Sequence, residues 1–252
     1  MKKEKRECVL KLSDFHVPFH DMSAVQAALQ FIKYTKPSMI FLDELVDFWA
    51  LSKFEKDPDR GHDLEVEVEM ATNILNMIRN TAPLNCEINM LESNHDRRLR
   101  KYILRNADAF KGIAGLKLEK MLELEKFKIR YYKDYIYKDI LFKHGSLVRK
   151  ESSATARAEM QREGMSGVSG HTHRLGITFK RLRGGEYCWI EGGCLCQIDD
   201  VDYIDGIADW QQGISGFFFK EDGRRFAPVI IPIVKGEIFY DGYMFGGDNG
   251  KK

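Results

Sequence analysis

The sequence predicts an α/β fold that begins with βα units and ends in a β-rich half. Three observations carry this. The apolar run at 7–13 (ECVLKLS) is followed by a loop, a helical period and a second apolar run, the order of a βαβ unit. From about residue 127 the texture becomes short β-rich runs broken by Gly, Asp and Lys. At 252 residues and 44% hydrophobic content, the chain can bury one sizeable core.

The elements follow in order. Residues 7–13 read as a strand, and SDFHVPFHD as a loop in which Pro18 blocks an early helix. Residues 23–35 (SAVQAALQFIKYT) read as an amphipathic helix with Ser23 as N-cap. A strand at 38–42 runs into the acidic loop FLDELVDF (41–48). Residues 63–80 read as a long helix despite the alternating start LEVEVEM, and CEINML (86–91) as a third strand. RRLRKYILRN and LKLEKMLELEK are predicted helical. FKIRYY, YIYKDILFKHG, SGVSGHTH, GITFKRL, YCWIEGG, GISGFFFK and APVIIPIVKG read as strands, with a helix at 151–163 between them. No repeat or linker divides the chain, so one domain is expected over 1–245, with 246–252 (GGDNGKK) as a frayed tail.

Charge and cysteine usage narrow the class. Charged residues are 31% and the net charge is +1, so overall charge predicts no partner. The five cysteines form no C-x-x-C pair. Cys194 and Cys196 admit a structural-zinc reading, but buried reduced thiols fit better. The basic start MKKEKRECVLKL lacks a signal-peptide apolar region, and no run is long enough to span a bilayer. A cytoplasmic, reduced protein with no membrane partner is expected.

Five of the seven histidines sit in four short polar motifs, each following or ending an apparent strand. These are D-x-H (Asp14–His16), N-H-D (Asn94–Asp96), H-G (His144–Gly145) and G-H-T-H (Gly170–His173); the acidic loop is a fifth. Strand ends are where open α/β sheets place ligand sites. Alternate residues of an extended segment point the same way, so Asp14 with His16, and His171 with His173, can each face one point. Imidazole and carboxylate together suit borderline divalent metals. Asp14, His16, one acid of 43–47, Asn94, His144, His171 and His173 supply enough ligands for two ions sharing a carboxylate, a site suited to phosphate esters. One ion would bind and deprotonate water, both would neutralise phosphoryl oxygens, and a nearby histidine would protonate the leaving oxygen. Each motif alone is weak; their joint occurrence in order carries the reading. His20 reads more readily as a loop histidine than as a pocket residue, and His62 as solvated or substrate-side.

The series DFH (14–16), DELVD (43–47), SNHD (93–96), KHG (143–145) and GHTH (170–173) resembles that of the calcineurin-like metallophosphoesterase superfamily: D-x-H, G-D-x-x-D, G-N-H-[DE], H and G-H-x-H. The resemblance covers about residues 8–175 by motif. It implies a four-layer α/β/β/α sandwich of two mixed β-sheets flanked by helices. It also implies two divalent metal ions, manganese first, with Fe, Zn, Ni, Co or Mg as alternatives. One ion would take Asp14, His16 and His173, the other Asn94, His144 and His171. His95 would protonate the leaving group, Asp96 would orient it, and Asp47 would stabilise its loop without touching a metal. Two positions depart: Asp43 and Ser93 stand where the family has glycine, which moves the bridging role to Glu44, with Asp43 as the rival.

The substrate class is less constrained. Arg97 and Arg98 follow N-H-D, Arg174 follows G-H-T-H, and Arg149, Lys150 and KRLR (180–183) lie nearby. Converging at a cleft, they would attract DNA or RNA; otherwise they are solvated faces. Phe15, Phe19, Phe48 and Trp49 would stack on bases or pack in the core. WALSKFEKDPDR and DWQQGISG resemble segments of phage and prophage phosphoesterases, which favours a nuclease or phosphodiesterase in the host cytoplasm. The alternatives are a small-molecule or protein phosphomonoesterase, and a degenerate, non-catalytic binder of nucleic acid or protein.

Overall fold

The computed structural model describes residues 7–53, 63–199, 207–220 and 225–247. In chain order its elements are β1 (Glu7–Leu12), α1 (Met22–Thr35), β2 (Met39–Asp43), α2 (Leu64–Thr81), β3 (Glu87–Leu91), α3 (Asp96–Asn106) and α4 (Leu118–Met121). There follow β4 (Ile129–Tyr132), β5 (Tyr135–Tyr137), β6 (Ile140–Phe142), α5 (Ala154–Glu163), β7 (Ser166–Ser169), β8 (Leu175–Leu182) and β9 (Gly185–Gly192). The last are β10 (Gly213–Phe219), β11 (Phe226–Pro232), β12 (Glu237–Tyr240) and β13 (Tyr243–Gly246). His62 lies outside the described residues, as do 248–252 of the expected tail.

Two mixed sheets form the centre. The first has the order β11-β10-β1-β2-β3-β4, with β1 to β4 parallel and β10 and β11 antiparallel. The second has the order β5-β6-β7-β9-β8, with β6, β7 and β9 parallel. Strand alternation divides the core. Cys8, Leu10 and Leu12 of β1 and Ile40 and Leu42 of β2 pack with α1, α2 and α3. Val9, Met39 and Phe41 point the other way and meet Ile140, Phe142, Val168 and Ile190 of the second sheet. Phe41 stacks on Phe142 with ring centroids 4.1 Å apart. Leu141 and Trp189, on the far face of the second sheet, pack on Ala156 and Met160 of α5. The result is the expected four-layer α/β/β/α sandwich.

Local chemistry corrects three expectations. The N-cap of α1 is Asp21, not Ser23: the Asp21 carboxylate accepts from the backbone N–H of Ser23 (2.8 Å) and Ala24 (3.3 Å). The helix in LKLEKMLELEK is only the single turn of α4. Leu122 and Leu124 are both buried, a spacing of two that one helical face cannot serve, and the chain turns at Glu123 with φ 49°. Phe15 and Phe48 are buried in the core and unavailable to a ligand. All five cysteines are free and buried. No helix among the described residues is long and apolar enough to cross a membrane.

The parallel strands put the motifs on one edge. β1, β2 and β3 of the first sheet and β6 and β7 of the second deliver the segments at 13–20, 43–48, 92–96, 143–146 and 170–174 to the same end of the sandwich.

Candidate metal centre

The motif loops are locked to one another by backbone hydrogen bonds. Phe15 N and His16 N both donate to Glu44 O (3.1 Å each), Val17 N donates to Leu45 O (2.9 Å), and Asp47 N returns to Val17 O (2.9 Å). The backbone N–H of His171 donates to both Asp14 carboxylate oxygens, at 3.0 and 3.1 Å. Asp14, His16, Glu44, His171 and His173 all have φ between 44° and 73°. That left-handed region is costly for residues with a Cβ, and such strain concentrates at functional sites. Gly170 must be glycine on space alone: a Cβ there would meet Ser13 Cβ at 3.0 Å and run into the Asp14 carboxylate. Neither Asp43 nor Ser93 has a positive φ, so the family glycines at these places are not replaced at a strained angle.

Two clusters of ligand atoms result, and Glu44 belongs to both. Asp14, His16, Glu44 and His173 form one; Glu44, His144 and His171 form the other. Glu44 Oε2 lies 3.3 Å from His16 Nε2 and 3.4 Å from His144 Nε2. His16 Nε2 faces His173 Nε2 at 2.9 Å, and Asp14 Oδ1 lies 3.5 Å from the same nitrogen of His173. In the other cluster His144 Nε2 faces Asn94 Oδ1 at 2.7 Å and His171 Nδ1 at 3.2 Å. Asp43 is elsewhere engaged: its Oδ2 accepts from Lys11 Nζ (2.5 Å) and lies 3.2 Å from His144 Nδ1.

These residues fit a pair of cations. The far ring nitrogens of His16 and His144 point at carboxylates, Asp47 (2.7 Å) and Asp43 (3.2 Å), which accept their Nδ1–H. That leaves the Nε2 lone pairs aimed inward among other acceptors, a juxtaposition that repels unless a proton or metal lies between. Glu44 Oε1 is buried without a hydrogen-bond partner.

The proton distribution has the same cause. Burial disfavours charge on Glu44, but the surrounding His144, His95 and His16 hold its carboxyl well below the usual range. Burial and the Asp43 and Glu44 charges push Asp14 well up. Burial and the His16 charge push His173 well down. Burial also opposes charge on His16, but the Glu44 charge and the Asp47 bond outweigh it and raise that imidazole. One proton between two facing imidazoles does locally what a divalent ion would do for the whole cluster.

The remaining candidates divide by position. His95 Nε2 lies 3.6 Å from Glu44 Oε1 and 2.7 Å from Arg98 Nη2. Its Nδ1 is 3.2 Å from Asp47 Oδ2, without hydrogen-bond geometry. Asp96 is turned to its own helix: its Oδ2 accepts from Ser93 N (2.8 Å) and Tyr131 Oη (3.1 Å), while Asp96 N donates to Ser93 Oγ (3.1 Å). The carboxylate beside His95 is therefore Asp47 rather than Asp96. Asp47 in turn accepts from Arg98 Nη1 at 2.8 Å. A cavity of about 330 Å³ opens over Glu44, His95 and His171, walled by Trp49, Arg98, Val148, Arg174 and Trp210. Trp210 rests edge-on against His173 (4.1 Å between centroids) and was not foreseen from sequence. His20 is buried and bridges Cys196 through its backbone, away from this wall. Arg97 pairs with Glu92 (3.3 Å) and Arg174 with Asp209 (3.0 Å), so these rim cations carry neighbouring acids.

No protein-family model matches the chain. Among curated proteins it is similar to the Gene 54 protein of Mycobacterium phage D29, at 28% identity across 94% of this chain and 98% of that one. The Gene 54 protein of Mycobacterium phage L5 is 27% identical across 93% and 96%. Solved structures that align include Vps29 of Chaetomium thermophilum (TM-score 0.41, 9% identity, 90% and 94% covered). A single mutant of Vps29 from Entamoeba histolytica gives 0.39 at 14% identity (90% and 99%). TT1561 of Thermus thermophilus gives 0.39 at 11% (89% and 99%).

Proposed function

We propose that the chain is a dinuclear metal-dependent phosphoesterase of the calcineurin-like type, acting on phosphodiester bonds of nucleic acid or nucleotides. The observation that carries this reading is the membership of Glu44 in both ligand clusters. Two divalent ions in such a site supply a nucleophile at neutral pH and positive charge for the phosphoryl oxygens. Asp14, His16 and His173 would hold one ion, Asn94, His144 and His171 the other, and Glu44 both. Glu44 is one methylene longer than the aspartate of the family motif, and its left-handed backbone at φ 44° is what this reading needs for the longer side chain to reach between the clusters.

The protein's own groups account for the other steps. His95 stands at the cavity wall and gives its proton to the leaving oxygen. Arg98, which holds His95 Nε2 in the free protein, is within reach of a phosphoryl oxygen once substrate displaces it. Trp49 and Trp210 line an opening suited to a nucleobase rather than a phosphoprotein surface. The reading treats 1–245 as one catalytic domain. It places the enzyme in the cytoplasm of a phage host, which the phage relatives support. Asp43 and Ser93, which motivated a degenerate binder, both make specific bonds that leave every ligand residue intact.

The test is direct. Metal-stripped protein resupplied with Mn²⁺ is expected to cleave bis(p-nitrophenyl) phosphate, and His95→Ala to lose that activity. No cleavage with any divalent metal would sink the proposal. Mononucleotides, cyclic nucleotides and single- and double-stranded DNA, compared at equal enzyme, separate the phosphodiesterase from the monoesterase. A large gain on Glu44→Asp would mean that the natural glutamate impairs the enzyme.

A further inference from the structure

Lys11 is the one fully buried charged residue in the strand ECVLKL. Alternation turns it away from the helices, into the space between the two sheets, on the face of Val9. Its side chain has no solvent exposure, and neither has that of Asp43, its partner at 2.5 Å. Lys11 Nζ also donates to Ser13 Oγ. Asp43 ends β2 and projects into the same space, where its Oδ2 meets His144 Nδ1 from the second sheet at 3.2 Å. A fully buried lysine is costly to maintain, and the pair adds nothing that two apolar side chains would not add to stability. What the pair does supply is an ionised acceptor at a set place.

We infer that Lys11 is a positioning residue for the metal centre: it holds Asp43 as a carboxylate, and Asp43 fixes His144 with its proton on Nδ1 and its Nε2 lone pair toward Glu44, Asn94 and His171. The assignment rests on the metal-binding reading only for its purpose, since the tautomer is a property of the metal-free protein. The geometry is one-sided. His144 Nδ1 meets the acidic oxygen that Lys11 neutralises, and His144 Nε2 meets only acceptors and another imidazole. Such outer partners orient a ligating imidazole and raise its basicity. Asp43 thus has a use in this chain that the family glycine cannot serve, and that use requires a cation in the inter-sheet core.

The experiment reads the ring directly. Long-range ¹⁵N–¹H correlation spectra of metal-free protein, at a pH where the ring is neutral, should show His144 protonated on Nδ1. Lys11→Met with Asp43→Ala removes both charges without stranding either. In that double variant the proton should move to Nε2, and affinity for one of two Mn²⁺ equivalents should fall about 10–100-fold while the other is unchanged. A wild-type His144 protonated on Nε2 would overturn the assignment whether or not the variant folds. So would a double variant with the wild-type tautomer and both Mn²⁺ affinities intact. A chain with the expected tautomers that takes up no Mn²⁺ would leave Lys11 its role and sink the phosphoesterase reading.

Discussion

The two halves of the site use the same device in different surroundings. In each, an inward-facing imidazole is held from behind by a carboxylate, and the carboxylate by a cation. His16 is held by Asp47 and Arg98; His144 is held by Asp43 and Lys11. The first chain ends near the cavity, where the Arg98 side chain keeps 21% exposure and also touches His95. The second ends between the sheets at zero exposure. The exposed cation is free to exchange partners with a substrate, whereas the buried one has only Asp43 and Ser13. One half is built to respond and the other to stay still.

Removing what the halves share should have the largest effect. Glu44→Ala is expected to strip metal from both, with loss of activity, as read by metal analysis after gel filtration; retention of two equivalents would separate the halves. His95→Ala should lower kcat by about 10²–10⁴-fold with metal content unchanged. The cations then distinguish the halves by stability. Lys11→Ala strands a buried carboxylate and should cost about 3–5 kcal/mol in urea unfolding. Arg98→Ala, at a partly solvated pair, should cost ~1 kcal/mol or less. Equal costs would erase the contrast.

A smaller effect concerns the acidic loop. Glu67 of α2 accepts from the backbone N–H of Trp49 (3.2 Å) and Ala50 (3.1 Å). Burial pushes its carboxyl up to about 7, with the Asp47 charge adding to the rise and the backbone bonds opposing it. Its folded value lies above the unfolded one, so the folded chain binds more protons between about pH 4.5 and 7. Stability is therefore full below that window and falls as pH rises through it, by ~2–3 kcal/mol. Glu67→Gln should flatten the fall in metal-free protein, measured as urea midpoints at acid and alkaline pH.

Much of this was legible in the sequence because it rests on local patterns. Alternation in ECVLKL and the apolar run at 38–42 mark strands, and D-x-H and H-T-H mark inward pairs. The partners behind the ligands were not legible. Lys11 and Asp43 are 32 positions apart, and only the parallel register of β1 on β2 brings them together. The lysine in ECVLKL was the available signal, since an apolar strand seldom keeps one without a partner. Asp96 follows His95 directly, yet the helix it begins turns its carboxylate to Ser93, and Asp47 comes from 48 residues upstream to stand beside His95. Arg97 and Arg174 were read by charge alone, which cannot reveal that Glu92 and Asp209 neutralise them.

The central claim is that Glu44 joins two metal sites. Electron paramagnetic resonance of the Mn²⁺-loaded protein tests it most directly, because two manganese ions bridged by one carboxylate are magnetically coupled. A coupled spectrum at two equivalents in the wild type, lost in Glu44→Ala, is the expected result. An isolated-ion spectrum at every loading of the wild type, or a coupled one that survives Glu44→Ala, would contradict it.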